Sequence, residues 1–446
     1  MGLDVVRALG TWDPDGPGSR TALLVAGGLF STAGGEPVSN IAAWNGVQWI
    51  ALGSGVGGTV QAIASWDPDG DGPAPPLLIV GGAFSQAGGT AASNIAAWNG
   101  SEWFPLAGGL SGTVYALTTW DADGDGPQPA RLVAAGSFAQ SGSLFVNRIA
   151  VWDGTEWSPL GSGMASGEVR AVVEWDPDGT GLLPRRLVAG GTFSYAGGVV
   201  ASNVAMWDST EGGSWRRLGE GLDQSVRTLA AWRPGRGAAG GQELVAGGHF
   251  RRSGEAETRL VAVFNDELDA WQPIGGGLWG DHGPAAFALA AWDPDGAGSI
   301  RPWLYVTGTL ERRPDWYMTW RIARWQGSAL SGGPWLSNGS LYASPLSYGV
   351  AMTTWDPSGD GSSLSQLVIA GRFFSAGGLD SPGIIRQRWP AACGADFNCS
   401  GALDDGDVFA FLNAWFAGDE AAQQFGGASG VSAIFVFLRE WFAGCP

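Results

Sequence analysis

A tryptophan recurs through most of this sequence at an interval that changes little. It ends the first apolar run of each repeat, and the intervals between copies are 54, 54, 55, 57, 60 and 63 residues: Trp12, Trp66, Trp120, Trp175, Trp232, Trp292 and Trp355. Another aromatic residue follows at the same period, at Trp44, Trp98, Trp152, Trp207, Phe264, Trp325 and Trp389. A period above 40 residues indicates an array of similar units that bury their faces against one another.

The units contain four short apolar runs rich in β-branched and aromatic residues, except the seventh, which has three. In the second unit these runs are Val60–Trp66, Leu77–Phe84, Ile95–Trp98 and Trp103–Leu106, and Gly, Pro, Asn and Asp separate them. Such a pattern predicts a four-stranded antiparallel sheet. Seven sheets of this kind predict an all-β, seven-bladed propeller over residues 1–389, since no blade can bury both of its faces without its neighbours.

The charge and hydropathy of the sequence disfavour two classes of partner, nucleic acids and membranes. The formal net charge is −18 and the sequence has no lysine, which disfavours binding to a nucleic-acid backbone. No apolar run approaches the roughly 18 residues that a membrane-spanning helix needs. We therefore expect neither a nucleic-acid partner nor a membrane span.

The residues Leu77-Leu-Ile-Val-Gly81-Gly82, followed by Trp98-Asn99-Gly100 and Trp103, resemble the kelch-type propeller repeat. They are still more similar to the related blades of secreted bacterial propellers and of fungal cortical polarity markers. The glycine pair is expected to let the strand bend and the neighbouring blades approach, where a Cβ would clash. The pair changes to Thr307-Gly308 in the sixth repeat and to Ala370-Gly371 in the seventh.

Alternating strand direction places the hairpins after the first and third strands on one face of the propeller. Acidic segments occupy the first of these hairpins in most repeats, and two of them have the pattern D-x-D-x-D-G: Asp67, Asp69 and Asp71, and Asp121, Asp123 and Asp125. Alternate oxygens of such loops could bind Ca²⁺ weakly, but Leu78 and Leu132 stand where the closing acid is expected. The preferred interpretation is that these carboxylates are solvated turn formers.

On the opposite face, the fifth and sixth repeats combine cationic and aromatic residues: Arg251, Arg252, Trp279, His282, Arg312, Arg313, Trp316 and Tyr317. Aromatic planes beside guanidinium groups suit a glycan or an anionic polymer. The alternative is that these residues vary freely and that the aromatic ones pack between blades. The sequence alone favours that alternative.

Catalytic motifs are sparse. The two histidines, His249 and His282, belong to different repeats, and no cysteine precedes Cys393. A glycosidase needs a pair of Asp or Glu side chains, and the many recurring turn carboxylates single out no such pair.

A different composition begins after Trp389 and predicts a second, helical module over residues 390–446. Its segment from Asp396 to Asp407 has the spacing of a calcium-binding loop, D-x-N-x-S-G-x-x-D-x-x-D. The expected ligands of one Ca²⁺ are Asp396, Asn398, Ser400, the carbonyl of Ala402, Asp404 and Asp407, and Gly401 permits the sharp turn.

This loop, with Phe411-Leu412-x-x-Trp415-Phe416-Ala417-Gly418 and the terminal Trp441-Phe442-Ala443-Gly444-Cys445, resembles the dockerin module of secreted bacterial proteins. The resemblance implies a cohesin-like or cell-surface receptor as partner. A second loop lacks ligands, with Ala422, Gln424 and Gly426 in their places, so one Ca²⁺ is expected. A disulfide between Cys393 and Cys445 is expected to bracket the module and to leave Cys399 unpaired.

The sequence thus predicts a secreted or cell-surface, non-enzymatic propeller that binds a glycan or protein and is tethered through its C-terminal module. The alternative is a carbohydrate-active propeller enzyme, a glycoside hydrolase or lyase that uses Asp or Glu. The seventh repeat has no W-x-x-L-G run before Pro390. We therefore expect a three-stranded last blade, and a natural protein that extends upstream through that strand and a signal peptide.

Overall fold

A computed structural model provides the structure of this chain. It describes residues 5–16, 20–70, 72–124, 128–180, 183–209, 212–234, 241–278, 285–293, 302–310, 322–325, 336–337, 341–342, 348–356, 365–372, 375–376, 379–380 and 383–387, and ten single positions between 408 and 438. Seven antiparallel sheets, the blades, follow one another along the chain. The predicted all-β, seven-bladed propeller of four-stranded blades is confirmed.

The first strand of each blade lines the central channel and is called the inner strand. The inner strands are Val5–Trp12, Val56–Trp66, Val114–Trp120, Val169–Trp175, Val226–Trp232, Ala286–Trp292 and Tyr348–Trp355. The second strands, which pair with them, are Leu23–Leu29, Leu77–Ala87, Arg131–Gly136, Arg186–Gly191, Glu243–Gly248, Trp303–Gly308 and Gln366–Arg372. We call the face where the inner strands begin the upper face, and the face where they end the lower face.

The third strands are Ile41–Trp44, Ile95–Trp98, Ile149–Trp152, Val204–Asp208, Val261–Asn265, Ile322–Trp325 and Ile384–Gln387. The outer strands are Trp49–Ala51, Trp103–Pro105, Trp157–Pro159, Ser214–Arg217, Ala270–Pro273 and Leu336–Ser337, and the described part of blade 7 has three strands. Short strands on the upper face are Thr32–Ala33, Glu36–Pro37, Thr90–Ala91, Gln140–Ser141, Leu144–Phe145, Tyr195–Ala196, Val199–Val200, Arg252–Ser253 and Ala256–Glu257. Three more follow at Leu341–Tyr342, Ser375–Ala376 and Leu379–Asp380.

The hydrophobic core lies between blades. A single buried cluster joins Ile79 and Ile95 of blade 2 to Leu132 and Ala150 of blade 3, and equivalent clusters join other neighbouring blades. Burial of this apolar surface requires the next blade to be present, at roughly 25 cal/mol per Å² of apolar area. The repeat therefore folds as a ring and not as independent units.

The repeating tryptophans also connect the blades through hydrogen bonds. Six of the seven that end the inner strands donate Nε1–H to a backbone carbonyl just before the second strand of the following blade; Trp66, for example, donates to the Ala130 oxygen at 2.9 Å. Four tryptophans of the outer strands donate to the end of the preceding outer strand, as Trp103 does to Leu52 at 2.8 Å. These indoles therefore pack in the apolar core and also donate a hydrogen bond to the adjacent blade.

Ring closure uses the same bond. Trp355 of blade 7 donates Nε1–H to the Ala22 carbonyl of blade 1 at 2.8 Å, although 333 positions separate the two residues. Trp355, Val368 and Leu24 form one buried cluster across this boundary. The seventh blade therefore packs against the first, and the channel is enclosed.

The double glycine has the role expected of it. A Cβ on Gly81 would meet Val114 of the next blade, and a Cβ on Gly82 would overlap the Thr59 carbonyl oxygen of its own inner strand. The two positions thus serve different contacts, one between blades and one within a blade.

Only scattered positions beyond residue 387 are described. Several of them, including Phe411, Trp415 and Phe416, have helical backbone conformation, but they do not define a complete helix. The C-terminal helical module is therefore still a prediction from the sequence.

Candidate functional site

Every inner strand skips a residue at one shared position in its pairing with the second strand, and the inner strand of blade 2 also skips Gly57. The residues at the shared position lie five places before the repeating tryptophan: Arg7, Gln61, Tyr115, Arg170, Arg227, Phe287 and Val350. A β-bulge leaves the extra residue unpaired and redirects its side chain. Five of the seven line a cavity of about 230 Å³ in the channel, so the bulges form a ring of variable side chains inside the propeller.

Arg170 of this ring is held by an aromatic and an acidic partner. Its guanidinium forms an ion pair with Glu168 and lies 4.9 Å from the centre of the Tyr115 ring. The Tyr115 hydroxyl lies 3.5 Å from the same carboxylate. Glu168 comes directly before an inner strand, so this group of three lies at the upper mouth of the channel.

Arg227 is the more deeply buried cation. Its Nε is buried without a hydrogen-bond partner, and its guanidinium lies 5.8 Å from the centre of the Phe287 ring. Burial lowers the pKa of Arg227, and the neighbouring Arg170 charge lowers it further. A buried donor with no partner is costly in a folded protein, and an anion bound in the mouth would remove that cost.

His249 completes the cluster. It follows the double glycine of blade 5; its Nδ1 lies 2.9 Å from Ser225 Oγ, and its ring makes an edge contact with Phe287 at 6.3 Å. Burial lowers the pKa of His249, and the charges of Arg227 and Arg170 lower it further. The imidazole is therefore neutral near pH 7.

We expect His249 to titrate below the ordinary histidine value of about 6.5. Replacing Arg227 by glutamine should raise this midpoint because it removes the nearest positive charge. The measurement is an NMR titration of the imidazole protons, and His282→Gln assigns the signals because the chain has two histidines. A midpoint at or above the ordinary value would contradict the described burial.

The rim of the mouth adds further groups. The Phe287 and Tyr348 rings lie 5.2 Å apart, and Tyr348 is paired with Arg372 on the second strand of blade 7. Among the described residues, Glu168 is the one carboxylate that contacts the cluster. The upper mouth is thus cationic and aromatic in a chain whose net charge is −18.

The acidic segments lie at the opposite, lower face. In the first four blades the second Asp accepts a backbone N–H from five residues later in the same loop, as Asp69 does from Ala74 at 3.1 Å and Asp123 from Gln128 at 3.3 Å. Burial raises the pKa of the first Asp, at Asp13, Asp67 and Asp121. These contacts fit the turn-forming interpretation, and Asp71 and Asp125 lie outside the described residues.

The predicted ligand-binding arginines lie apart from the channel. Arg251 and Arg252 are exposed on the upper hairpin of blade 5, where their backbone N–H groups donate to Asp223 at 2.8 and 3.1 Å. Arg252 also lies 3.9 Å from the carboxylate of Glu257. The other residues of that prediction are outside the described part of the chain: Trp279, His282, Arg312, Arg313, Trp316 and Tyr317.

The predicted calcium ligands Asp396, Asn398, Ser400, Ala402, Asp404 and Asp407 also lie outside the described residues, as do Cys393, Cys399 and Cys445. Within the described part, no group of three or more His, Cys, Asp or Glu side chains is arranged to hold a metal ion. The same part contains no helix with the length and apolar character of a membrane span.

The sequence contains a signal for the channel ring that lies outside the motifs described above. Across the repeats, the position six before the tryptophan is mostly Val and the position four before it is mostly Ala, while the residue between them changes from Arg to Gln, Tyr, Phe or Val. A variable residue between two nearly constant small apolar ones marks a position that serves something other than packing.

No known protein family matches this sequence, and no curated protein matches it. Among solved structures, the chain is similar to the crystal structure of the GH74 xyloglucanase from Xanthomonas campestris, with 15% identity and a TM-score of 0.36. The similarity covers 86% of this chain and 67% of that one.

This comparison contradicts the leading functional prediction, a non-enzymatic scaffold tethered through its C-terminal module. The neighbour is an enzyme, and its class is that of the alternative, a carbohydrate-active propeller. At a TM-score of 0.36 the likeness itself carries no argument for activity. The activity has to be argued from the residues of the channel mouth.

Proposed function

We propose that this chain is a carbohydrate-active propeller that binds an acidic saccharide at the upper mouth of its central channel. The observation that carries the proposal is the cluster of Arg170, Arg227 and His249 with three aromatic rings at that mouth. The cations indicate that the ligand is an anion, and the aromatic rings indicate that it is a saccharide.

The charge of the ligand follows from Arg227 and Arg170. Arg227 has a buried Nε that forms no hydrogen bond with a protein group. Glu168 pairs with Arg170 and does not bond to this Nε. Guanidinium groups bind carboxylates through paired, charge-assisted hydrogen bonds. A carboxylate of the ligand would therefore complete the coordination of Arg227.

The saccharide class follows from the rings and the size of the cavity. Tyr115 and Phe287 line the cavity, and Tyr348 packs against Phe287 beside it, so the rings offer flat apolar surfaces with a polar edge on the two tyrosines, as the mixed faces of a sugar require. The cavity of about 230 Å³ is smaller than the 300–1,000 Å³ typical of sites for drug-sized ligands. Tyr115 and Phe287 line it, whereas Arg170, Arg227 and His249 do not, so the cavity adjoins the cationic cluster and would take one or two sugar rings beside it.

Charge segregation favours a short ligand. The recurring Asp side chains lie at the lower face and the arginine cluster lies at the upper mouth. The electrostatic potential therefore attracts anions at the upper mouth and repels them elsewhere on the surface. A long polyanion would extend beyond the mouth and meet the repulsion of a chain with net charge −18. Oligosaccharides and chain ends would avoid most of that repulsion.

The test is isothermal titration of the full chain with tri- and tetrasaccharides of galacturonate, and with glucose oligosaccharides of the same length. We expect binding of the uronates only, weakened by salt. Arg227→Gln should weaken it by about 10- to 100-fold, the value of a hydrogen bond between charged groups. Arg252→Gln is the matched control, because Arg252 is a cation on the same face outside the channel.

Equal binding of neutral and acidic oligosaccharides would contradict the proposed ligand class. Equal weakening by Arg227→Gln and Arg252→Gln would contradict the proposed site. Tighter binding of an acidic peptide than of any uronate would replace the saccharide by a protein ligand.

Two finer proposals rest on the sequence alone. One is that the blades belong with the kelch-like and cortical-marker repeats. The other is that residues 396–407 bind one Ca²⁺ in a dockerin-like module closed by a Cys393–Cys445 disulfide. Spacing of the oxygen ligands supports the calcium proposal, and titration of Ca²⁺ into the chain and its Asp396→Ala variant tests it.

A further inference from the structure

The chemistry of the channel mouth differs from that of a glycoside hydrolase. Hydrolysis of a glycosidic bond by the common route uses two carboxyl groups, one as acid and one as base or nucleophile. Among the described residues, Glu168 is the one carboxylate in contact with the cluster, and Arg170 and Tyr115 both occupy it. The groups that remain for chemistry are an imidazole and guanidinium cations.

A neutral base beside fixed cations can remove a proton from the carbon atom next to a carboxylate. The carbon-bound hydrogen at C5 of a uronate becomes more acidic when cations neutralise the carboxylate, because negative charge moves onto its oxygens as the proton leaves. Arg227 offers an unpartnered donor for that carboxylate, and Arg170 adds a second positive charge nearby. These are electrostatic requirements that the mouth already meets.

His249 has the position needed for the base, and the tautomer protonated at Nδ1 would supply the lone pair. When Nδ1–H donates to Ser225 Oγ, the lone pair of Nε2 remains free. The charges that bear on the ring are those of Arg227 and Arg170, and the Phe287 ring lies against it. Both cations oppose protonation of the imidazole, so the free base persists at neutral pH.

We propose that the mouth cleaves 4-linked uronates by β-elimination, with His249 as the catalytic base and Arg227 as the group that neutralises the carboxylate. This inference rests on the proposed function, because it needs an acidic saccharide in the mouth. His249 Nε2 takes the C5 proton, the electrons of that C–H bond form a C4=C5 double bond, and the bond from C4 to the leaving oxygen breaks. The imidazolium then gives its proton to that oxygen.

The reaction as written is balanced without water, a metal or a redox partner. The two products together have the mass of the substrate, and one of them has a double bond conjugated with its carboxylate. Hydrolysis would instead add one water to the products. The two reactions can therefore be told apart by mass alone.

The experiment incubates the full chain with 4-linked galacturonate, glucuronate and mannuronate oligosaccharides. Product masses and the ultraviolet absorbance of the conjugated double bond are followed. We expect products without added water from at least one of the three. His249→Gln should lower the rate by about 10²- to 10⁴-fold, the usual contribution of a general base, with affinity for the substrate nearly unchanged. Arg252→Gln should retain the full rate.

A second variant covers the case in which His249→Gln does not fold. Ser225→Ala removes the partner of Nδ1 and not the base, so Ser225 is a positioning residue. We expect a lower kcat, a shifted pH dependence of the rate and an unchanged KM. A merely structural effect would leave the pH dependence in place, and that result would overturn the assigned role of His249.

The outcomes separate this inference from the function on which it rests. Uronate binding without any product would refute the elimination and leave the binding proposal intact. Products that have gained water would show hydrolysis and refute the role of His249. Absence of binding to every uronate would refute both.

Discussion

Replacing Trp355 by alanine is expected to lower the free energy of unfolding by about 3–5 kcal/mol, as removal of a fully packed aromatic side chain does. Trp355 is 1% exposed and lies in the cluster that joins blade 7 to blade 1. Truncation would leave a cavity at that boundary and would remove the donor that satisfies the Ala22 carbonyl. Urea denaturation followed by fluorescence and circular dichroism measures the change.

A phenylalanine at position 355 separates packing from the hydrogen bond. It keeps most of the apolar contact and lacks the indole N–H, so the expected loss is about 1–2 kcal/mol. If the alanine and phenylalanine variants lose the same amount, the closure depends on the hydrogen bond alone. If the alanine variant loses less than about 1 kcal/mol, blade 7 does not close the ring in the way described.

Sequence reasoning reached the architecture because the repeat encodes it several times. The seven inner tryptophans fixed the number of blades, and runs such as Val60–Trp66 fixed the strands, since alternating apolar residues and turn signals recur at each copy. The hydrogen-bond partners of those tryptophans could not be predicted from the repeat pattern. Six of the seven indole N–H groups reach a carbonyl of an adjacent blade, as Trp66 does to Ala130, and such a contact depends on the angle between blades.

The functional site was missed for a related reason. Arg170 and Arg227 lie in different repeats, 57 positions apart, and no sequence motif connects them. Closure of the ring turns equivalent positions toward one axis, so residues far apart in sequence become neighbours. His249 joins them because the loop after its double glycine returns to the same mouth through Ser225.

The neighbours of His249 could not be predicted from the sequence. No other histidine or cysteine lies near His249 in sequence, and the candidate catalytic groups that composition indicates are carboxylates. The structure gives His249 a different set of neighbours: Ser225, Phe287 and two arginine charges. Burial and cationic neighbours keep the imidazole neutral, and a count of acidic residues does not detect such a group.

Replacing Gly82 by alanine is the second change with a large expected effect, and it tests why the repeat needs a glycine pair. A Cβ at this position would overlap the Thr59 carbonyl oxygen and would lie 3.0 Å from the Cα of Val60, both in the inner strand that pairs with it. Backbone on both sides of the clash leaves no flexible side chain to move. We expect a loss of at least about 3 kcal/mol, the upper end of the cost of overpacking.

Gly57→Ala is the matched control for Gly82→Ala, because Gly57 lies in the same blade and a Cβ there would have its nearest contact at 3.5 Å, with Gln86. Its cost should stay within about 0.5 kcal/mol, as for most surface substitutions. Both variants are compared by urea denaturation. Equal stability of the two variants would show that the close approach of backbone at Gly82 does not require a glycine. The equivalent Gly191, whose Cβ would overlap the Glu168 carbonyl oxygen, should then tolerate alanine as well, with the Arg170 ion pair undisturbed.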